Sequence, residues 1–395
     1  MLHKATKRNV SRAIREINAF DREGDYRPAA RKALKELLEG ELKVELARQL
    51  GAKRYERQEK RRGYRNGYYS RHLLTQLGDV LLRVPRTRTG GYDWRVLQRY
   101  ARRERSVDEV LLGCFCLGLS TRKAAEVLVP MLGEKVSAST VSRIAQGLDH
   151  AVKEHHQRKL KDRYRYLFFD GVVLRSKGAV KVQKKILLCA FGITHEGIEE
   201  MIDFYPAPSE SQACWESFLN DLYRRGLTAT CCGLMMTDGG TGLHAALQIV
   251  YPNIAYQRCW AHKTRNVLDK VRQADQPAVK RALNRISHAA NQREATQAYW
   301  RFASRWRKAY PKAVACLEKD LDDLLTFFQV KNQKLWSRIR TTNLIERAFR
   351  EVKRRTRPMG VMANKRSLQR IVFAVFHHLN LKWSQRPIKE FTQNS

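Results

Sequence analysis

The chain has 395 residues, 43% of them hydrophobic, and its 76 Lys and Arg side chains outnumber 39 Asp and Glu, which gives a formal net charge of +37. This length can supply two or three domains with real cores, which excludes a disordered basic tail, and the charge far exceeds what solubility requires. We therefore expect a polyanionic partner; a ribosome-like or membrane-surface protein would fit the charge but not the long ordered core.

The positive charge is concentrated in two stretches. Residues 53–105 contain 16 basic and 5 acidic side chains, and residues 331–370 contain 13 basic and 2 acidic. Basic faces of this kind bind phosphate backbones with release of counterions, so binding should weaken steeply as salt rises.

The eight cysteines show no secretory spacing, Met1 begins no signal peptide, and no apolar run reaches the roughly 18 residues of a membrane span. These features predict a reduced, intracellular protein without membrane association. Cys259 and His262 have the spacing of one half of a zinc site, but no second half follows, so structural zinc is an alternative rather than the prediction.

The N-terminal region, residues 1–52, is predicted to form helices over 5–22 and 28–50. The second helix carries an apolar stripe, which predicts either an intrachain packing face or a dimer interface. The stripe consists of Leu34, Leu37, Leu38, Leu42, Leu46 and Leu50.

Residues 53–105 interleave basic side chains with tyrosines, a composition that suits phosphate contact and base stacking or, alternatively, a solvated loop. The same segment contains a predicted β-hairpin, with strands Leu73–Leu77 and Val80–Val84 joined by Gly78-Asp79 and ended by Pro85.

Residues 106–150 resemble a helix-turn-helix unit. A helix over Val107–Leu117 is followed by one that opens at Ser120, a turn at Gly133 and a third helix that opens at Ser137. The segment Ser137–Arg143 would then face DNA, with Arg143 on a phosphate or a base edge, although any three-helix core could show this pattern.

Residues 160–262 change to the periodicity of strands, and three meandering strands followed by alternating helices and strands predict a mixed α/β sheet. The predicted strands are Arg165–Leu174, Lys185–Ile193, Glu199–Tyr205 (ended by Pro206), Leu234–Thr237 and Ile254–Arg258, and the predicted helices are Glu210–Arg225 and Leu243–Val250.

Residues 263–335 read as an all-helical insertion, with helical runs over 263–273, 276–290, 293–309 and 311–328. Residues 336–395 return to the sheet domain with a basic helix that Asn343 caps and Pro358 ends. Its predicted buried face consists of Ile345, Phe349 and Val352.

Three acidic residues are candidates for catalysis and metal binding. Asp170 is embedded in an apolar strand and followed by Gly171, which indicates either a ligand or the turn of an Asp-Gly hairpin. Asp238 follows another strand, where it could share a divalent cation with Asp170 or cap the next helix. Glu346, in the basic helix, could complete the site, serve as a counter-charge, or form a capping box with Asn343. Hard oxygen ligands suit Mg²⁺ or Mn²⁺ better than zinc.

Four ordered motifs, FFDGVVL, MMTDGGTGL, CWAHKTRNV and TTNLIERAFREVKRRTRPMGV, closely resemble those of the Mutator-type DDE transposases of bacterial insertion sequences. The similarity extends N-terminally through YRNGYYSR, LRVPRTR, GLSTRKAAEVL and SASTVSRI, so that it covers most of the chain from residue 50 to residue 380.

The resemblance implies an RNase H-like mixed α/β core that a helical insertion interrupts, preceded by a helical DNA-binding region. It implies that Asp170, Asp238 and Glu346 are the catalytic acids and the ligands of Mg²⁺, for which Mn²⁺ can substitute. Cys259 and His262 match the family's cysteine-two-residues-histidine signature and are expected to support the site. The side chains expected to contact DNA are Arg65, Arg122, Ser139, Arg143, Arg347, Lys353, Arg354 and Arg355.

The activity implied is metal-dependent hydrolysis at the element's end, which frees a 3′-hydroxyl, and attack of that hydroxyl on target DNA. The implied partners are double-stranded DNA, as terminal inverted repeats and target, and further copies of the chain in a homodimer or higher oligomer, on the nucleoid in the bacterial cytoplasm. Two alternatives stay open: an RNase H-like metal-dependent nuclease, and a catalytically silent, transposase-derived DNA-binding regulator.

Overall fold

A computed structural model of the chain describes residues 27–59, 61–88, 94, 95, 97, 102–127, 129, 136–177, 182–357 and 364–392. The chain divides into two compact units, Met1–Gln146 and Gly147–Ser395. The helix predicted over 5–22, the turn at Gly133 and the helix end at Pro358 lie outside the described residues. Among the helices of the described ranges, none combines the length and the apolar character needed to cross a bilayer.

The first unit begins with a long helix packed on a β-hairpin. Leu42, Leu46 and Leu50 of the helix are buried in one cluster with Leu82 and Val84 of the hairpin. The leucine stripe is therefore an intrachain packing face, as one of the two interpretations predicted. The elements of this unit are α1 (Arg27–Leu50), β1 (Arg65–Thr75), β2 (Gly78–Thr87), α2 (Arg105–Cys116), α3 (Thr121–Val127) and α4 (Ala138–Gln146).

The hairpin is longer than predicted, and its turn lies elsewhere. Thr75 pairs with Gly78, so the turn consists of Gln76 and Leu77 rather than Gly78-Asp79. The Thr75 hydroxyl closes this turn by donating to the Gly78 carbonyl at 2.8 Å. The predicted strand end at Pro85 is also wrong, because Pro85 pairs with Tyr68 within the sheet. A two-stranded sheet has only edge strands, which tolerate the missing amide hydrogen of proline.

Helices α2, α3 and α4 form the three-helix unit that the sequence predicted. Their core consists of small and branched apolar side chains, among them Val107, Leu111, Ala124 and Val141. DNA contact by this unit stays a prediction.

The second unit is a mixed α/β fold, as predicted. Its five-stranded sheet has the order β5-β4-β3-β6-β7, with β3, β4 and β5 antiparallel and β3, β6 and β7 parallel. The sheet and its adjacent helices are α5 (Leu148–Gln157), β3 (Tyr164–Lys177), β4 (Val182–Thr194), β5 (Glu199–Ala207), α6 (Gln212–Arg224), β6 (Leu234–Thr237), α7 (Thr241–Val250) and β7 (Tyr256–Arg258).

Residues 260–339 contain helices and 3₁₀ turns without a strand, which confirms the predicted helical segment. The helices are α8 (Trp260–Leu268), α9 (Gln276–Ser287), α10 (Gln292–Trp306), α11 (Pro311–Glu318), α12 (Leu321–Leu325) and α13 (Trp336–Ile339), with 3₁₀ turns at Thr326–Gln329 and Gln333–Leu335. The chain then continues with α14 (Asn343–Thr356), α15 (Lys365–Ser384) and α16 (Lys389–Thr392).

Alternate residues of β3 point to opposite faces of the sheet, and side chains from helices pack on both faces. Leu167 and Phe169 belong to the core that includes residues of α6 and α7. Phe168 lies on the other face, where it packs edge-to-face on Phe191, and Phe191 packs on Trp383 of α15. The predicted end of β5 at Pro206 is wrong, because β5 is an edge strand and runs on to Ala207.

Candidate active site

The parallel pairing of β3 with β6 sets the positions of the first two acids. Phe169 lies opposite Thr237; Asp170 follows Phe169 within β3, and Asp238 follows Thr237 directly after β6. Asp170 itself pairs with Cys189 of β4 in the middle of β3, so the Asp-Gly hairpin alternative is wrong. The two carboxylates are therefore neighbours at one end of the parallel pair.

Asp170 is only 6% exposed, and its Oδ1 accepts a hydrogen bond from the Gly171 amide at 2.7 Å. Burial and, next, repulsion by Asp238 raise the pKa of Asp170 to about 7, with a further contribution from Glu346, while the charge of His262 opposes the shift. These interactions show that Asp170, Asp238, Glu346 and His262 share one electrostatic environment.

Asp238 begins the turn between β6 and α7. Its Oδ1 accepts from the Gly240 amide at 2.9 Å, whereas the helix N-cap is Gly240. Asp238 thus stabilises the turn without occupying the cap position that the alternative assigned to it. Gly239 adopts φ +87°, and a side chain there would overlap the Arg258 guanidinium, so this turn requires glycine.

Glu346 lies in the first turn of α14, whose buried face includes Ile345, Phe349 and Val352 as predicted. The N-cap is Thr342 rather than Asn343, so the predicted Asn343 cap and its capping box with Glu346 are wrong. The Thr342 hydroxyl lies 3.1 Å from Glu346 Oε1, to which it can donate. Glu346 is therefore oriented by a buried threonine that precedes the helix.

Cys259 and His262 lie at the start of α8. Cys259 Sγ accepts hydrogen bonds from the amide and the hydroxyl of Thr342, each at 3.3 Å. Burial raises the pKa of Cys259, but hydrogen bonds from His262 and Thr342 outweigh it and lower the pKa below its ordinary value. Interaction with Cys259, together with the carboxylates of Asp170 and Glu346, raises the pKa of His262 to about 9 against the effect of burial. The pair therefore stands directly beside the acids.

The sequence did not single out Glu210 or Thr342. A β-carbon at Gly171 would overlap the Glu210 carboxylate, and burial, followed by the charge of Asp238, raises the pKa of Glu210. Glu210 is thus a fourth acid beside the first two. Its one sequence signal is an acid just before a helix, whereas Thr342 could have been recognised as a good N-cap residue within the TTN run.

The side chains expected to contact DNA differ in their surroundings. Arg122, Ser139 and Arg143 of the first unit are exposed, and so are Arg347, Lys353 and Arg354 on α14. The Arg65 guanidinium instead donates to the carbonyls of Ala52 and Lys53, at 2.8 and 3.2 Å.

Arg355 is buried and forms an ion pair with Glu351. Its guanidinium is occupied by this intramolecular ion pair, which does not favour the predicted DNA contact. Arg347, Arg350, Arg354 and Lys382 line a cavity of about 560 Å³ beside α14.

Comparison with known proteins places the chain in a family. The family model described as "Transposase, Mutator family" matches residues 3–386. A transposase for insertion sequence element IS905 of Lactococcus lactis subsp. lactis is 34% identical over 325 residues, which cover 82% of each chain. A transposase for ISRM5 of Rhizobium meliloti is 31% identical over 97% of this chain and 94% of that relative.

A transposase for IS256 in transposon Tn4001 of Staphylococcus aureus is 32% identical over 84% of this chain and 85% of that relative. Among solved structures, a chain of the Drosophila P element transposase strand transfer complex aligns with 72% of this chain and 81% of its own length, at 12% identity and a TM-score of 0.29. The family match and the relatives confirm the resemblance drawn from the motifs. The chain belongs to the Mutator family of transposases, enzymes that cleave and transfer DNA strands.

Proposed function

We propose that the chain is a DDE transposase in which Asp170, Asp238 and Glu346 bind divalent cations on an RNase H-like core. The observation that carries the proposal is the parallel register of β3 and β6, which sets Asp170 beside Asp238. The influence of Glu346 on the pKa of Asp170 supports its place in the same site.

The three acids have the chemistry that a hard divalent cation requires, and because their carboxylates do not all lie within 4.8 Å of one another, a shared cation would draw them together. Three carboxylates supply oxygen ligands of the kind that Mg²⁺ and Mn²⁺ prefer. Asp170 is buried against a second carboxylate, which raises its pKa to about 7. Repulsion of this kind is relieved when a cation binds between the acids. We therefore propose Mg²⁺, with Mn²⁺ as a substitute, and assign both to these acids rather than to Cys259.

The proposed reaction is hydrolysis of a phosphodiester at the element's end, which frees a 3′-hydroxyl, and attack of that hydroxyl on target DNA. Bound cations would activate the attacking oxygen and stabilise the leaving oxygen. His262, with its raised pKa, holds a proton at neutral pH and offsets part of the negative charge. Both nucleophiles are oxygens of water or DNA, so no covalent protein–DNA intermediate forms.

DNA binding is divided between the two units in this proposal. The exposed Arg122, Ser139 and Arg143 of the three-helix unit would read the terminal inverted repeats. The exposed Arg347 and Lys353 would hold the phosphate backbone near Glu346, which lies on the same helix. Because two element ends must be joined to one target, we propose that a homodimer or higher oligomer assembles on the DNA at the nucleoid.

The test uses purified full-length chain, Mg²⁺ and labelled DNA that carries the ends of the element. Wild type should cleave and join strands, whereas Asp170→Asn, Asp238→Asn and Glu346→Gln should bind the DNA and yield neither product. The exposed Asp269 provides a matched control, and Asp269→Asn should behave as wild type.

Products that are identical for wild type and Asp170→Asn would refute the assignment of the acids. Cleavage without joining would favour the nuclease alternative, and binding without cleavage by the wild type would favour the regulator.

A further inference from the structure

A second set of potential metal ligands adjoins the acids and differs from them in chemistry. Ligand atoms of Cys259, His262 and Glu346 all lie within 4.8 Å of one another. In the described part of the chain, no other group of three such residues has its ligand atoms this close. The set combines a sulfur, an imidazole nitrogen and a carboxylate oxygen, whereas the proposed magnesium site contains oxygens alone.

Cys259 Sγ and His262 Nδ1 lie in surroundings that suit metal ligands. Cys259 is 1% exposed, and its Sγ receives two hydrogen bonds from Thr342, one from the amide and one from the hydroxyl. Two donors aimed at one sulfur stabilise a thiolate, the form that binds metals. His262 Nδ1 is buried without a hydrogen-bond partner and lies 3.9 Å from Glu346 Oε1. Zn²⁺ binding would displace the proton that the raised pKa of His262 retains at neutral pH, and Nδ1 would then gain a metal bond.

The backbone around these ligands is fixed on both sides. The Cys259 amide donates to the Thr237 carbonyl at 2.8 Å, and the Trp260 amide donates to the Arg340 carbonyl at 3.0 Å. His262 follows Cys259 by three residues at the start of α8, a spacing that brings the two side chains to one face of the helix. Cys259 and His262 are therefore held in place, and the longer side chain of Glu346 can adjust.

The donor set favours zinc over magnesium. Zn²⁺ accepts sulfur, nitrogen and carboxylate ligands at about 2.0–2.3 Å, which places the ligand atoms of a tetrahedral site about 3.3–3.8 Å apart. The ligand atoms of the three residues lie within 4.8 Å of one another, so Zn²⁺ binding would draw them about 1 Å closer together. Mg²⁺ is unsuited to thiolate and would stay with the oxygen ligands.

We propose that Cys259, His262 and Glu346 form a Zn²⁺ site with an open fourth position, and that Zn²⁺ bound there inhibits the enzyme by holding Glu346 away from Asp170 and Asp238. The first half concerns metal binding alone. The second half rests on the proposed function, because it requires that Glu346 also serves the magnesium site.

Binding is tested on the metal-free, full-length chain without DNA, with Co²⁺ as an optical probe and Zn²⁺ measured by competition with a chromogenic chelator. Wild type should bind one Zn²⁺ per chain tightly, and Co²⁺ should give a thiolate-to-metal charge-transfer band. Cys259→Ser should abolish the band and weaken Zn²⁺ binding at least about 100-fold, since removal of outer-shell partners alone weakens metals about 10- to 100-fold. Glu346→Gln should keep the band but weaken Zn²⁺ by about 10-fold or more.

Two matched controls separate this site from the rest of the molecule. Cys232 is also buried, but its Sγ donates to the Leu234 carbonyl at 3.4 Å, so Cys232→Ser should leave Zn²⁺ binding unchanged. Asp170→Asn removes a proposed magnesium ligand that is not in the zinc set, and it should keep the thiolate-to-metal charge-transfer band. Equal Zn²⁺ affinity of wild type and Cys259→Ser, or no tight binding by wild type, would overturn the proposal.

Inhibition is tested by titration of Zn²⁺ into the cleavage reaction at fixed, excess Mg²⁺. One equivalent of Zn²⁺ per chain should suppress cleavage at least about tenfold, and a zinc-selective chelator should restore it. Tight Zn²⁺ binding with unchanged cleavage would refute the sharing of Glu346. If the wild type fails to cleave with Mg²⁺ alone, the proposed function fails, while the result of the binding experiment stands independently.

Discussion

Phe169 of β3 lies directly opposite Thr237 of β6 in a parallel pair, and each is followed by an aspartate. The register therefore brings two carboxylates together, one of them buried. Burial, and then the charge of Asp238, raise the pKa of Asp170 to about 7. Two acids held in this way destabilise the fold until a proton or a cation neutralises the charge.

The first prediction concerns the stability of Asp170→Asn in the absence of divalent cations. The pKa of Asp170 is raised from 3.8 to about 7 in the folded chain, so the folded state holds the proton more tightly than the unfolded state. Stability from this group is thus present below about pH 4 and is lost as the pH rises to about 7. At pH 8 Asp170→Asn should be about 4 kcal/mol more stable than wild type, and at pH 4.5 the difference should shrink to about 1 kcal/mol.

Urea unfolding in a chelating buffer at both pH values measures this difference. Asp269→Asn is the control, and its difference from wild type should not change with pH in this way. An Asp170→Asn difference that is the same at pH 4.5 and pH 8 would contradict the assigned environment of Asp170.

The sequence predicted the sheet well because the signals of its strands are local. The apolar run Leu234–Thr237 is a strand with the predicted ends, and the strand around Asp170 continues through the Asp-Gly pair. The errors at Pro85 and Pro206 have one physical cause, since proline ends a central strand but is accepted in an edge strand, and edge position is a property of the assembled sheet.

The site was only partly predictable from the sequence, because the contacts that bring its side chains together join residues far apart along the chain. Glu346 reaches Asp170 through the packing of α14 on the sheet domain, which spacing along the chain does not encode. The sequence offered Glu346 as a ligand, a counter-charge or part of a capping box, and the motif resemblance selected the ligand. The contact of Glu210 with Gly171 and the bonds from Thr342 to Cys259 likewise join residues distant in sequence, so neither residue carried a pattern that pointed to the site.

A second prediction compares Gly171 and Gly242, which both face the segment Glu210–Gln212. A β-carbon at Gly171 would meet the flexible carboxylate end of Glu210, whereas one at Gly242 would lie 2.7 Å from the Glu210 carbonyl oxygen and 2.8 Å from the Gln212 amide. Gly171→Ala should therefore change the free energy of unfolding by less than about 1 kcal/mol, because the side chain can move. Gly242→Ala should destabilise by about 1–3 kcal/mol, because backbone must move. Urea unfolding of both variants provides the measurement, and the reverse order of stabilities would be inconsistent with this packing.

The third prediction tests the Thr342 hydroxyl. Thr342→Val keeps the shape and the amide donor to Cys259 but removes the hydroxyl that reaches Cys259 and Glu346. Residues that orient metal ligands typically contribute about 10- to 100-fold, so the single-turnover cleavage rate should fall by about that factor. Thr342→Ser restores the hydroxyl and should recover most of the rate. If Thr342→Ser is as slow as Thr342→Val, the hydroxyl is not the cause.

The fourth prediction concerns the exposed cations of α14. If Arg347 and Lys353 contact phosphates, replacement of either by Gln should reduce the slope of log affinity against log salt by about 1. DNA-binding isotherms at several salt concentrations give this slope. Lys280, an exposed cation on α9, is the charge-matched control, and Lys280→Gln should leave the slope unchanged. Equal slopes for Lys353→Gln and wild type would exclude a phosphate contact by Lys353.

The last prediction concerns the buried ion pairs that Asp320 makes with Lys263 of α8 and with Arg258 of β7. The Asp320 carboxylate accepts a hydrogen bond from the ammonium of Lys263, which is 2% exposed. The other carboxylate oxygen, Asp320 Oδ1, lies 2.9 Å from Arg258 Nη1. Asp320→Ala leaves the Lys263 ammonium buried without its counter-charge, which should destabilise the chain by about 3–5 kcal/mol.

The double variant Lys263→Met/Asp320→Leu removes both charges and fills their volume, so it should be more stable than Asp320→Ala. A double-mutant cycle of urea unfolding energies, built from the two single replacements and their combination, measures the coupling between Lys263 and Asp320. A coupling near zero would mean that the ion pair does not stabilise this junction. Since Lys263 follows His262 on α8, a strong coupling would show that this ion pair anchors the helix that carries His262.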